Sequence, residues 1–252
     1  MNAKKMAFFV EGQTEQVFIE KLLLEMAGGR SISIRLAKLS GGGAKSGSPR
    51  IERHIPNSLS HETLPTHEAL IYDCGTDNRV LSDILDSVEK LANTGYCCVI
   101  GLRDLYPKRE SELSSLEKSI ERGIQLKKNV ITIPVSVIVA VHEVEAWFLS
   151  EITHFTHIDP ALTKEKIIAS FPTLGFNPYQ DDMTKREHPA NDLNELYKLA
   201  GKAYKKTKSH VERTVNHLSY TNIQTLREKI EKLNALLSAI DRFLDNSHQT
   251  NT

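Results

Sequence analysis

Carboxylates close four apolar runs in this sequence. Glu11 follows MAFFV. Asp73 follows ALIY, with Asp77 four residues on. Asp104 follows YCCVIGLR, and Glu143 and Glu145 follow a run that ends at Val141. Acids brought together at one edge repel each other, and a buried charge needs a partner. A divalent cation supplies one. All the candidate ligands are hard oxygens, and no His/Cys constellation accompanies them. The chemistry expected is therefore Mg²⁺ or Mn²⁺ rather than Zn²⁺, with Glu11, Asp73, Asp104 and Glu145 as ligands. Such an ion can activate water and stabilise charge on a phosphoryl group. Each acid also has a plainer role. Glu11 and Glu15 suit a helix N-terminus, Asp73 suits a tight turn, and Asp77 suits a helix N-cap. Asp104 stands beside Arg103. Glu143 and Glu145 are two apart and would point to different faces of a helix; Glu145, beside Trp147, is taken as the site residue.

The elements that must position these acids can be read from the pattern of apolar residues. Continuous apolar strands at 6–10, 69–73, 96–102 and 130–141, with an alternating one at 31–39, are interleaved with helices. The helices carry stripes at Phe18, Leu22, Leu23 and Met26; at Val80, Ile84, Leu85, Val88 and Leu91; and at Leu113, Leu116, Ile120 and Ile124. The segment 50–59 reads as a short helix. Apolar strands alternating with amphipathic helices predict an α/β fold with a parallel sheet covered on both faces. Ligands of such sheets bind off the carboxyl ends of the strands, where Glu11, Asp73 and Asp104 stand. Strand signals vanish after residue 150, which predicts a domain at 1–152 and a helical one at 153–252. Helices are expected over 191–217 and 222–244. In the latter, Ile223, Leu226, Ile230, Leu233, Leu237, Ile240 and Leu244 keep 3–4 spacing. That seam fits packing on a neighbouring helix, or a homodimer or partner interface.

The chain has 252 residues, 40% hydrophobic and 25% charged, with zero formal net charge. No global field therefore draws nucleic acid or an anionic membrane, and any basic patch is local. The short N-terminal apolar run does not make a signal peptide, and no stretch approaches a membrane span; a cytoplasmic protein is expected. Cys74, Cys97 and Cys98 have neither disulfide-framework nor zinc-site spacing and read as small buried hydrophobes. The Ser40–Ser48 stretch, SGGGAKSGS, lacks P-loop spacing, and there is no Gly-x-Gly-x-x-Gly turn. A local basic patch does exist: Lys198, Lys202, Lys205, Lys206, Lys208 and Arg213 stand against a single acid, Glu212. Lys202, Lys205, Lys206, Lys208 and Arg213 are the expected nucleic-acid (DNA or RNA) contacts, the alternative being a solvated helix face.

Three boxes in order carry a resemblance. EGQTE at 11–15 resembles the glutamate motif of TOPRIM domains in bacterial OLD-like and RloB-like defence proteins. Arg103-Asp104-Leu105-Tyr106 stands where those domains have Asp-x-Asp, and HEVEAWFL at 142–149 is similar to the Glu-x-Trp box of the RloB-like group. The spacing of His188-Pro189, Asp192-Leu193, Gly201-Lys202 and Tyr204 resembles that group's helical tail. The resemblance implies a Rossmann-like TOPRIM sheet and a Mg²⁺-dependent nuclease acting in phage defence beside a separate ABC-type ATPase. Glu11 would be general acid/base or metal ligand, and Asp104 a catalytic metal ligand. The sequence departs from the pattern at Tyr106, where the second Asp would stand, and in an extra β-α unit at 68–95. A non-catalytic TOPRIM-like partner or sensor, binding an ATPase or nucleic acid, is the alternative that the missing Asp motivates.

Overall fold

The computed structural model describes residues 3–42, 50–56 and 64–245; the loop residues Gly43–Ser48, with Lys45, lie outside them. In chain order the elements are β1 (Lys4–Val10), α1 (Gln13–Ala27), β2 (Ile32–Gly41), β3 (Arg50–Ile55), β4 (His67–Asp73), α2 (Asp77–Asn93) and β5 (Tyr96–Asp104). Then come α3 (Leu113–Leu126), β6 (Val135–Ala140), α4 (Glu145–Ser150), α5 (Phe155–Ile158), α6 (Lys164–Ala169) and α7 (Phe171–Leu174). The chain closes with α8 (Pro189–Lys198), α9 (Lys208–His217), α10 (Tyr220–Leu226) and α11 (Glu231–Leu244). The fold is α/β, as the strand–helix alternation predicts. Six strands form one sheet in the order β3-β2-β4-β1-β5-β6. β1 runs parallel to β4 and β5, and β2 parallel to β4; β3 is antiparallel at the edge.

β1 is buried on both faces, which is why its sequence shows no alternation. Ala7 and Phe9 join Leu70, Tyr72, Val80, Ile84 and Val88 in a core between the sheet and α2. The alternate residues Met6, Phe8 and Val10 are equally buried and face the other side. α1 packs against β1, β2 and β4. Its Gln16 side chain, almost wholly buried, donates to the carbonyls of Ala37 (3.0 Å) and Ile71 (2.9 Å), tying α1 to β2 and β4. Gly101 on β5 is required by packing. A Cβ there would come within 2.9 Å of Ile84 Cδ1 and of Val137 Cγ2.

Two expected elements differ. Residues 50–55 are an edge strand, not a helix; an edge strand with one solvated face tolerates the charged residues Arg50, Glu52 and Arg53. The predicted helix at 191–217 is two helices. α8 stops where Gly201 takes φ 68, a left-handed conformation that a glycine permits and a helix cannot continue through. The last helix also divides, into α10 and α11.

The chain forms two compact units, and their boundaries differ from a single break near 152. The first comprises residues 1–103, 114–138 and 238–252; the second comprises 104–113 and 139–237. Among the described residues, no helix is long and apolar enough to cross a membrane.

Candidate active site

β5 hands the chain to the second unit at Asp104. Beyond it Leu105 N–H donates to Ala140 O (2.9 Å) and Tyr106 N–H to His142 O (3.0 Å), so the pairing runs on past the β6 strand end. His142 then adopts φ 62. A non-glycine residue in the left-handed region is held there by its surroundings at a cost of about 1–2 kcal/mol. The turn redirects the chain before α4 begins. Glu143 therefore precedes the helix, and the rule that residues two apart face apart does not apply to it.

The consequence is a cluster. One carboxylate oxygen each from Asp104, Glu143 and Glu145 lies within 4.8 Å of the others, and all three residues are buried. Each is oriented by a separate donor. Val144 N–H donates to Asp104 Oδ1 (3.1 Å). The Ala190 N–H at the start of α8 donates to Glu143 Oε2 (3.1 Å), where the helix dipole favours negative charge. The Tyr204 hydroxyl donates to Glu145 Oε1 (2.8 Å). Lys206 Nζ reaches all three acids, at 3.6 Å from Asp104, 2.8 Å from Glu143 and 3.4 Å from Glu145. Burial alone would lower the Lys206 pKa, but Glu145, Asp104 and Glu143 outweigh it and push it up, so the amine is an ammonium.

Beside the cluster is a cleft of about 440 Å³, lined by Tyr106, Glu143, His188, Asn191, Asn194, Tyr204, Lys205 and Lys206. A second, of about 340 Å³, shares Tyr106 and His188 with it. Those two rings meet edge to face, with centroids 5.8 Å apart.

Of the expected metal ligands, the structure brings Asp104 and Glu145 together and adds Glu143. Glu11 and Asp73 belong to the first unit. They stand at neighbouring strand ends, since Val10 pairs with Asp73, and Glu11 N–H donates to Leu102 O (3.2 Å). Asp73 is engaged locally: it accepts from Gly75 N–H (2.8 Å) and pairs with Lys38 (3.2 Å). Asp77 pairs with Arg103 at 2.6 Å. Glu15 caps α1, accepting from Gly12 N–H (2.9 Å), as an acid in a first turn should.

The basic stretch is not one helical face. Lys202 pairs with Asp159 (3.4 Å) and Lys208 with Glu212 (3.7 Å). Arg213 donates to Ala203 O and lies over the Tyr197 ring. Lys205 and Lys206 line the cleft. Sequence reasoning passed over Tyr204 and Glu143 as site residues and placed Lys206 among nucleic-acid contacts. Their hydrogen-bond partners are distant in sequence: Ala190 for Glu143, Glu145 for Tyr204 and Glu143 for Lys206.

The family model described as "Domain of unknown function (DUF4276)" matches residues 10–241. The chain belongs to the DUF4276 family. The matched span includes Asp104, Glu143 and Glu145, together with Tyr204 and Lys206. No curated protein and no solved structure matches the chain.

Proposed function

We propose that this chain is a divalent-metal-dependent nuclease, the effector of a phage-defence system that works with a separate ATPase. The observation that carries the reading is the buried Asp104–Glu143–Glu145 cluster beside a cleft walled by Lys205 and Lys206. The donor set fits the ion. Three carboxylates offer the hard oxygen ligands that such ions take, and one oxygen of each lies within 4.8 Å of the others. A divalent ion held by these acids would polarise a phosphoryl oxygen and make water a better nucleophile. The chain's own part is orientation. Val144 N–H, Ala190 N–H and the Tyr204 hydroxyl fix one acid each, and the cationic wall of the cleft suits a phosphate backbone. Two of the sequence boxes resembling TOPRIM nucleases, at Asp104 and at Glu143–Glu145, hold the clustered acids, whereas the Glu11 box does not contribute to the cluster; the link to defence and an ATPase rests on the resemblance.

A second reading is a non-catalytic partner or sensor. It is favoured by Lys206, whose ammonium already sits where a cation would. One experiment separates the two. Mn²⁺ titration by calorimetry, paired with cleavage of single-stranded and duplex DNA and RNA, is run on the wild type and on Asp104→Asn. The nuclease reading expects metal-dependent cleavage, abolished with metal binding in the variant. Mn²⁺ binding without turnover would leave the sensor reading, and no Mn²⁺ binding at all removes the metal centre.

A further inference from the structure

The first unit holds a pair of thiols that the carboxylate chemistry does not use. Neighbouring residues of a regular strand project to opposite faces. Cys97 and Cys98 do not. Lys5 pairs with Tyr96 and Met6 with Cys98, so Cys97 is an extra residue in β5, a β-bulge. A bulge sets two residues against one and re-aims their side chains. Here it brings Cys97 Sγ to 3.7 Å from Cys98 Sγ. Both residues are half-buried, unlike the buried Cys74; the expectation of three buried hydrophobes holds for Cys74 alone.

The geometry decides between two fates for such a pair. A disulfide wants Cα atoms about 4.4–6.8 Å apart, whereas adjacent residues of a trans chain are fixed near 3.8 Å. Closing an S–S bond here would distort the strand. A soft ion requires no such closure. In a tetrahedral site with metal–sulfur bonds of about 2.3 Å, two sulfurs stand about 3.8 Å apart, which is the separation present. At Cys97 the surroundings favour thiolate; the Cys98 thiol, which shares its proton with Cys97 and is partly buried, is held well above its usual range, so a bound cation must displace that proton. The hydrogen bond from Cys98 brings the Cys97 thiol down to about 7, against the opposing effect of burial, and the Lys4 ammonium pulls the same way. Lys4 is itself held in place by the carbonyls of Arg242 (2.8 Å) and Asp245 (3.0 Å).

We propose that Cys97 and Cys98 form a bidentate thiolate site for a soft divalent cation of the Zn²⁺ or Cd²⁺ class. Among the described residues, no third His, Cys, Asp or Glu joins the pair. Two coordination positions are therefore left to water or a small-molecule thiol, and the ion is exchangeable rather than structural. The ligand chemistry also keeps this site apart from the carboxylates, because thiolate selects soft ions and carboxylate selects hard ones.

The test is a Cd²⁺ titration of the full chain in excess Mg²⁺, following thiolate-to-cadmium charge-transfer absorption in the ultraviolet. One equivalent should saturate the band, and Cys97→Ser and Cys98→Ser should each abolish it. A chemical block repeats the test on unaltered protein. Phenylarsine oxide condenses with two thiols to form two S–As bonds, releasing one water and leaving arsenic trivalent. Intact mass should show one such adduct, peptide mapping should place it on Cys97–Cys98 rather than Cys74, and the treated protein should give no cadmium band. Absence of the band in the wild type overturns the proposal, as does its survival in either variant or after the arsenical.

Discussion

At the scale of single residues, Lys206 carries the most testable consequence. Its side chain is 42% exposed, yet its ammonium faces three buried carboxylates. Breaking a buried pair by removing one partner typically costs about 3–5 kcal/mol, and solvent screening at a partly exposed lysine reduces that. Lys206→Ala should therefore lose about 1–3 kcal/mol, roughly 2–12 °C in Tm for a chain of this size. If the acids form a cation site, millimolar Mg²⁺ or Mn²⁺ restores most of the lost Tm in a thermal melt. A variant indifferent to divalent ions would count against the metal reading. The same cluster shows what single residues reveal in a sequence. Asp104 was legible because it closes a buried apolar run, and Glu145 because it stands beside Trp147 at the start of a helix just past another run. Glu143 was not, because nothing in the local pattern announces that His142 takes φ 62 and leaves Glu143 ahead of the helix rather than in it. Lys206 read as one cation of a basic run, since its nearest partner, Glu143, is 63 residues away.

At the scale of elements, β1, β4 and β5 were legible because burial on both faces leaves an unmistakable apolar run, and the first helices by their apolar stripes; the charged edge strand β3 was not. The breaks among the later helices were not. Ile223, Ile230, Leu233, Leu237 and Ile240 are all buried, so the apolar spacing continues unbroken across the turn between α10 and α11. A buried polar network organises these elements. Glu151, at the end of α4, accepts from Thr153 N–H (3.0 Å), Ser219 N–H (3.1 Å) and Asn222 Nδ2 (3.3 Å), and pairs with His154. The His154 ring contacts the Tyr197 hydroxyl (2.9 Å), which donates to Thr214. Burial would raise the Glu151 carboxyl, but the hydrogen bonds from His154, Thr153 and Ser219 win and hold it at about 2, below its ordinary 4.5. A depressed carboxylate stabilises the fold above its unfolded pKa, and that contribution is lost as pH falls through the folded value. The window is thus about pH 4.5 down to 2, with a few kcal/mol at stake. Glu151→Gln should be less stable than wild type at neutral pH, and the gap should close steadily below pH 4.5 in urea melts. A gap independent of pH in that range would show that the charge on Glu151 does not matter.

At the scale of the whole molecule, the sequence suggests two consecutive domains, whereas the chain is interleaved. The first unit takes its last segment from residues 238–252, nearly a hundred residues beyond the point where strand signals cease. The described residues of that segment, 238–245, are built into the unit. Phe243 is 1% exposed and meets the buried His67 ring edge to face at 5.1 Å. Lys4 in β1 binds the carbonyls that end α11, at Arg242 and Asp245. The link was illegible because an apolar stripe says that a helix packs, not on what. Removing the segment would expose the apolar edge that Phe243 covers and strip partners from the α11 end of the sheet. Deleting a large core aromatic alone costs about 3–5 kcal/mol, a large share of the roughly 5–15 kcal/mol that holds a typical protein folded. A fragment of residues 1–152 should therefore lack a cooperative thermal transition and exchange its β1 amides quickly, while the full chain protects them. A fragment that melts cooperatively near the full-length Tm would mean that residues 238–245 lie against the first unit without being needed to hold it together.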